Sequence, residues 1–164
     1  MRSIIALTIL LLAGTALSQT SLKNGPKVNG IGLGASREEV IRKLGKPTSQ
    51  SKKAAEECVG GTEMVMTYPG LTFRLWDDSD NPRKFTVGFF EVRSARWNVS
   101  GAKVGETSAA IKKRFGTRAS QETDGHTKLM TWYYDMDENS GPGSTNFAFR
   151  GGKVFEITSL WLMC

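Results

Sequence analysis

Two short acidic runs and a single imidazole are the residues of this sequence with the clearest chemical reach. Asp77-Asp78-Ser79-Asp80-Asn81 sets three carboxylates within five positions. That spacing could plug a basic pocket or grip a hard cation, although Asp and Asn are also the residues that make solvated turns. Asp135-Met136-Asp137-Glu138-Asn139-Ser140-Gly141 places oxygen ligands at alternate positions, Asp135, Asp137 and Asn139, as the start of a calcium loop does. Its sixth position is Ser140 instead of Gly and its twelfth is Asn146 instead of Glu, so a plain connection between strands explains it more simply. His126 stands in the turn-forming run Asp124-Gly125-His126-Thr127. Together with Asp135 and Asp137 it could serve a secreted hydrolase or a calcium-dependent protein, but no nucleophile motif accompanies these acids. One His and two Cys are too few for an all-protein zinc site of the usual kind. The expectation is therefore no catalytic residue, no cofactor and no metal.

The aromatic residues form the other candidate set. Trp76, Trp97, Trp132 and Trp161, with Tyr133, Tyr134, Phe89 and Phe90, are many large side chains for a thin domain. On a strand, Trp132 and Tyr134 share one side and Tyr133 takes the other. Exposed Trp, Tyr and Arg are the usual make-up of a protein-binding hot spot; the alternative is that these rings fill the core or a seam. Arg74, close to Trp76 on the pleat, could join such a surface. The candidates for binding another protein are accordingly Asp77, Asp78, Asp80, Arg74, Trp76, Trp132 and Tyr134.

The elements that position them come from a sequence that repeats itself. Gly30-Ile-Gly-Leu-Gly-Ala-Ser-Arg-Glu-Glu-Val-Ile-Arg-Lys-Leu-Gly45 aligns without gaps on Gly101-Ala-Lys-Val-Gly-Glu-Thr-Ser-Ala-Ala-Ile-Lys-Lys-Arg-Phe-Gly116, an offset of 71. Ser36 and Thr107 are N-caps, and Glu39 would complete a capping box with Ser36. Val40, Ile41 and Leu44, and then Ile111 and Phe115, make short apolar stripes at helical spacing. Gly45 and Gly116 stand where a helix C-cap belongs. Each helix should run for about nine residues. After a polar stretch, strands are expected at Glu63–Tyr68, Leu71–Trp76 and Lys84–Val92, then at Leu129–Tyr134, Thr145–Phe149 and Val154–Leu162. Arg150-Gly151-Gly152-Lys153 should be a tight hairpin. The predicted fold class is α+β: two tandem helix–strand–strand–strand repeats, at 28–98 and 99–164, with short helices packed on antiparallel sheet.

Ahead of these, residues 1–18 have the composition of a signal peptide: Arg2, an apolar run from Ile4 to Leu12, and small residues Ala16 and Ser18 before the expected cleavage point. The apolar run is shorter than the roughly 20 residues a membrane span needs, and no Cys stands near the cleavage point to take a lipid. Residues 19–27 would be an N-terminal tail. Export, to the periplasm or outside the cell, follows, with no membrane span in the mature chain. In an oxidising compartment Cys58 and Cys164 could pair, closing a loop of about 100 residues worth ~4–5 kcal/mol on the chain-entropy model; two free thiols are the alternative. Hydrophobic residues at 39% and charged residues at 23% fit a globular protein and exclude disorder and coiled coil. Lys and Arg number 22 against 16 acids, which gives a modest preference for acidic partners or anionic surfaces. Export makes nucleic acid an improbable partner for the runs Lys52-Lys53 and Lys112-Lys113-Arg114.

The motif G-x-x-(L/V)-G-x-(S/T) leading into a short, Gly-ended helix, at Gly30–Pro47 and again at Gly101–Gly116, resembles the β-lactamase-inhibitory-protein-like family, a module shared with the SmpA/OmlA-type outer-membrane assembly lipoproteins. The tandem layout covers about residues 28–164. The resemblance implies a non-catalytic envelope or secreted protein that works by binding other proteins, through a concave sheet rich in aromatics and hairpin loops that plug the target. This chain lacks the N-terminal lipidated Cys of the assembly lipoproteins, and its second hairpin, Arg150–Lys153, is short. The sequence points to an exported protein-binding module, inhibitor-like or envelope-associated, and names neither the partner nor the oligomeric state.

Overall fold

A computed structural model describes residues 22, 25–57, 59–78, 81–136 and 143–161. A two-residue hairpin, β1 (Lys27–Val28) and β2 (Ile31–Gly32), turns through Asn29 and Gly30, both at positive φ, +47° and +81°. Helix α1 (Arg37–Leu44) follows, started by Ser36 Oγ, which accepts the Glu39 N–H at 3.2 Å. Glu39 turns its carboxylate to Lys43, 2.9 Å away. Gly45 ends the helix at φ +81°, its N–H donating to the Ile41 carbonyl at 2.8 Å.

Four strands come after α1: β3 (Ser49–Ala54), β4 (Thr62–Tyr68), β5 (Leu71–Asp78) and β6 (Asn81–Val92). Then α2 (Ser108–Phe115), capped by Thr107 Oγ1 on the Ala110 N–H at 3.2 Å and closed by Gly116 at φ +82°, leads into β7 (Ser120–Thr123), β8 (Met130–Asp135), β9 (Gly143–Arg150) and β10 (Lys153–Trp161). The eight strands β3 to β10 form one antiparallel sheet in the order β3-β4-β5-β6-β10-β9-β8-β7. This corrects the predicted α+β class: the chain is mainly β, with two helices of eight residues on a single large sheet, and not two helix–strand–strand–strand units. Of the eight strands of this sheet, sequence reasoning passed over β3 and β7, which sit at the two edges, and every residue of both is exposed. Strands with neither face buried show no apolar alternation, and the Lys52-Lys53 pair in β3 is the kind of charge that keeps an edge from pairing with another chain.

The halves meet where β6 and β10 pair, from Phe89↔Leu160 to Val92↔Ile157. Toward its start, β6 is instead flanked by the turn before α1: Gly34 N–H donates to the Val87 carbonyl at 2.7 Å, and Val87 N–H to the Ala35 carbonyl at 2.9 Å. β10 receives the turn before α2 in the same way, through Gly105 N–H to Val154 O at 2.7 Å and Val154 N–H to Glu106 O at 2.8 Å. The repeated glycines at φ +80° and +94° let each turn bend back onto its strand.

Both helices cover the same face. Val40 and Ile111, fully buried, belong to one hydrophobic cluster with Phe73, Phe90, Phe147 and Ile157, which register places on one side of the sheet. Two phenols fasten the helix ends to it: Tyr68 donates to the Gly45 carbonyl at 3.0 Å and Tyr134 to that of Gly116 at 3.3 Å. Burial pushes both phenols above the usual tyrosine range, so they stay protonated donors. Tyr68→Phe is expected to cost about 1 kcal/mol and to lower Tm by roughly 2–4 °C, measured by thermal unfolding.

Candidate functional site

The face opposite the helices carries the candidate site. On β4, β5 and β6 the residues turned away from the core include Val65, Arg74 and Phe89, paired side by side as Val65↔Arg74 and Arg74↔Phe89, and the row continues to Leu160 of β10. Each of the four is half-buried. Arg74 is fixed from below by Glu63 of β4, whose side chain is fully buried: Nε to Oε1 is 2.5 Å and Nη2 to Oε2 is 2.9 Å. Such a forked pair holds a guanidinium in one plane. Glu56 reaches the outer side of Nη2 at 3.2 Å, and Lys53 stands 3.4 Å from Glu63. The hydrogen bond from Arg74 keeps the Glu63 carboxyl below the ordinary carboxylate range, and Glu63 in turn raises Arg74.

Two rings flank that guanidinium. Its Cζ lies 6.0 Å from the Trp76 ring and 5.6 Å from the Phe89 ring, close enough for attraction by the ring faces. Trp76 lies across Gly88, the extra residue of a bulge in β6 where the register shifts between Arg74↔Phe89 and Leu75↔Val87. A Cβ at Gly88 would collide with the Trp76 ring. The outcome is a patch of Val65, Trp76, Phe89 and Leu160 around one immobilised cation.

The open face beyond this patch is mostly polar. Tyr133 gives its hydroxyl to Glu122 at 3.1 Å, and Thr131, Asn146, Ala148 and Thr158 fill neighbouring positions. At the end of β6, Arg93 bridges Glu156 at 2.7 Å and Glu91 at 2.9 Å. Burial raises the Glu91 carboxyl.

Several predicted site residues are placed elsewhere. Trp132 and Tyr134 belong to the helix-covered face, 8% and 5% exposed. Trp132 packs on Phe149 with ring centroids 4.8 Å apart under the Arg118 guanidinium, and Tyr134 meets Phe115 and Phe147. They cannot serve as an exposed hot spot, because alternation sets which residues share a side but the pairing Trp132↔Phe147 decides which side it is. Asp77 uses its carboxylate internally, accepting the Thr62 N–H at 2.9 Å. Asp78 lies in β5 next to the hairpin, and Asp80 falls outside the described residues, as do Asp137, Asn139, Cys58 and Cys164. Asp135 ends β8, while His126 is exposed in the turn before that strand, so the length of β8, about 17 Å at strand spacing, lies between them. That turn is built by Asp124 Oδ1, which accepts from the N–H groups of His126 and Thr127. The structure therefore does not bring His126 and Asp135 together. Sequence reasoning had Phe89 in its aromatic set but missed Glu63, Val65 and Leu160; the alternation of Glu63 and Val65 with buried Met64 and Met66 was the available signal for the first two.

No family model and no curated protein matches this chain. Among solved structures it is similar to an extracellular protein containing an SCP domain from Bacillus anthracis, with a TM-score of 0.51 and 13% identity over 89% of this chain and 47% of that one. It is also similar to a DUF4309 family protein (YjgB) from Bacillus subtilis, with a TM-score of 0.45 and 11% identity over 77% and 78% of the two chains. The chain spans about half the length of the Bacillus anthracis protein, and the likeness is one of fold. Neither protein carries the name of the β-lactamase-inhibitory-protein-like group. Among the described residues, no helix is long and apolar enough to cross a membrane.

Proposed function

We propose that the protein is an exported, non-catalytic module that binds another protein through the open face of its sheet. The observation that carries this is the row Val65–Arg74–Phe89–Leu160 with Trp76 beside it, on the face that the helices leave uncovered. Anchoring by aromatic rings around a preorganised arginine is how a few residues supply most of an interface's affinity, and Glu63 has already fixed the guanidinium, so little entropy is lost on contact. The partner best suited offers an apolar anchor to the rings and a carboxylate to the outer side of Arg74, where exposed Glu56 now sits. The signal-like residues 1–18 and the extracellular neighbour support export, and the resemblance to the β-lactamase-inhibitory-protein-like family supports a binding role.

The test begins with capture from envelope and secreted extracts on immobilised full chain, followed by calorimetric titration of the purified partner. Trp76→Ala and Phe89→Ala should each weaken binding by about tenfold or more, the effect of losing a hot-spot aromatic, whereas Tyr133→Ala should leave it within about twofold, as rim contacts do. A partner bound equally well by all three variants would move the site off this face. A partner that fails to saturate would end the reading.

A further inference from the structure

The two layers of the molecule carry different charge. Segment 27–46, which holds α1, has five basic and two acidic residues, and segment 99–118, which holds α2, has five and one; together their net charge is +7. The whole chain is +6, so everything else, the eight strands included, is net −1. The excess positive charge lies entirely in the two segments that cover one face of the sheet.

Within those segments the acids are already engaged. Glu38 is 3.6 Å from Arg37, Glu39 is 2.9 Å from Lys43, and Glu106 is 2.5 Å from Arg114. Lys27, Arg42, Lys46, Lys103, Lys112 and Lys113 are exposed, and none has a carboxylate within ion-pair distance among the described residues. Cations in the last turn of a helix complement its dipole, which accounts for Arg42, Lys112 and Lys113. It does not account for Lys27, Lys46 and Lys103, which lie outside the helices. The array occurs in both halves and includes no buried cation, so it suits a surface of many anionic groups better than one phosphate held in a pocket.

We propose that this helix layer adsorbs electrostatically to a bilayer surface rich in anionic phospholipid headgroups. Juxtaposed Lys and Arg residues are attracted by such a surface within about a Debye length, and no apolar insertion is required. Seated this way, the protein keeps the open face of its sheet pointing away from the lipid.

The test is co-sedimentation of the mature chain, Gln19 to Cys164, with vesicles of phosphatidylcholine, with or without phosphatidylglycerol. Binding is expected only with the anionic lipid, falling steeply from low to physiological salt. Lys46→Gln/Lys112→Gln/Lys113→Gln should weaken it by about tenfold or more, and the corresponding triple change to Arg should retain it. Lys84→Gln/Lys128→Gln/Arg150→Gln removes the same charge from outside the two segments and should leave binding within about twofold. Equal losses in the two Gln triples would overturn the assignment to the helix layer. So would binding to neutral vesicles, or binding to soluble polyphosphate without any to vesicles.

Discussion

Arg74→Ala is expected to destabilise the protein by about 2–4 kcal/mol at neutral pH, because it strands the Glu63 carboxylate in the sheet without its forked partner. Breaking a buried ion pair from one side typically costs about 3–5 kcal/mol. The lower range applies here because the Arg74 side chain is 28% exposed and Lys53 remains 3.4 Å from Glu63. Urea unfolding at pH 7 measures the loss. Replacing both members, as Glu63→Leu/Arg74→Met, should restore most of it, since an apolar pair has no charge to desolvate. A double variant as unstable as Arg74→Ala would mean that packing, and not the stranded charge, was responsible.

The pH dependence separates the same two causes. In the native protein the Glu63 carboxyl is lowered by Arg74. Its contribution is present above the unfolded carboxylate range, about 4.3, and is lost as pH falls through the lower native value. In Arg74→Ala burial is opposed by Lys53 alone, so the carboxyl moves up from its native position and protonation costs the variant less as the solution is acidified. The stability gap between the two proteins should therefore narrow from pH 7 toward pH 4. Glu91, already raised by burial, is common to both proteins and cancels in the comparison.

The legible parts of this molecule were those with local chemistry. Ser36 and Thr107 announced their helices because a cap depends on a hydroxyl three residues before a backbone N–H. The inner strands were legible because each buries alternate residues against the helices, as Leu71, Phe73 and Leu75 do. What stayed hidden depended on pairing across the chain. The fully exposed edges β3 and β7 carried no periodicity, and the fusion of all eight strands rests on the β6–β10 register, which no local pattern reports. The same cause misplaced Trp132 and Tyr134. It also hid the site, because Glu63 and Arg74 stand 11 residues apart and become one feature only when β4 and β5 pair.

Gly88 carries the last dependence of the site on packing. It is the bulge residue of β6, and its φ does not fall in the positive region that favours glycine, so its identity is set by the Trp76 ring lying against it. Gly88→Ala drives a methyl group into that ring and should cost about 2–3 kcal/mol, the range for overpacking a site that cannot expand. In a Trp76→Ala background the same change should cost less than about 0.5 kcal/mol, because the colliding partner is gone. Urea unfolding of the four proteins gives the coupling, and additive losses would show that the bulge backbone, and not the ring, requires glycine. Since Trp76 also flanks the Arg74 guanidinium, Gly88→Ala should weaken partner binding about as much as Trp76→Ala does, although Gly88 itself has no side chain to offer. A residue with nothing to contact would then control the contact surface through the one ring it allows to lie flat.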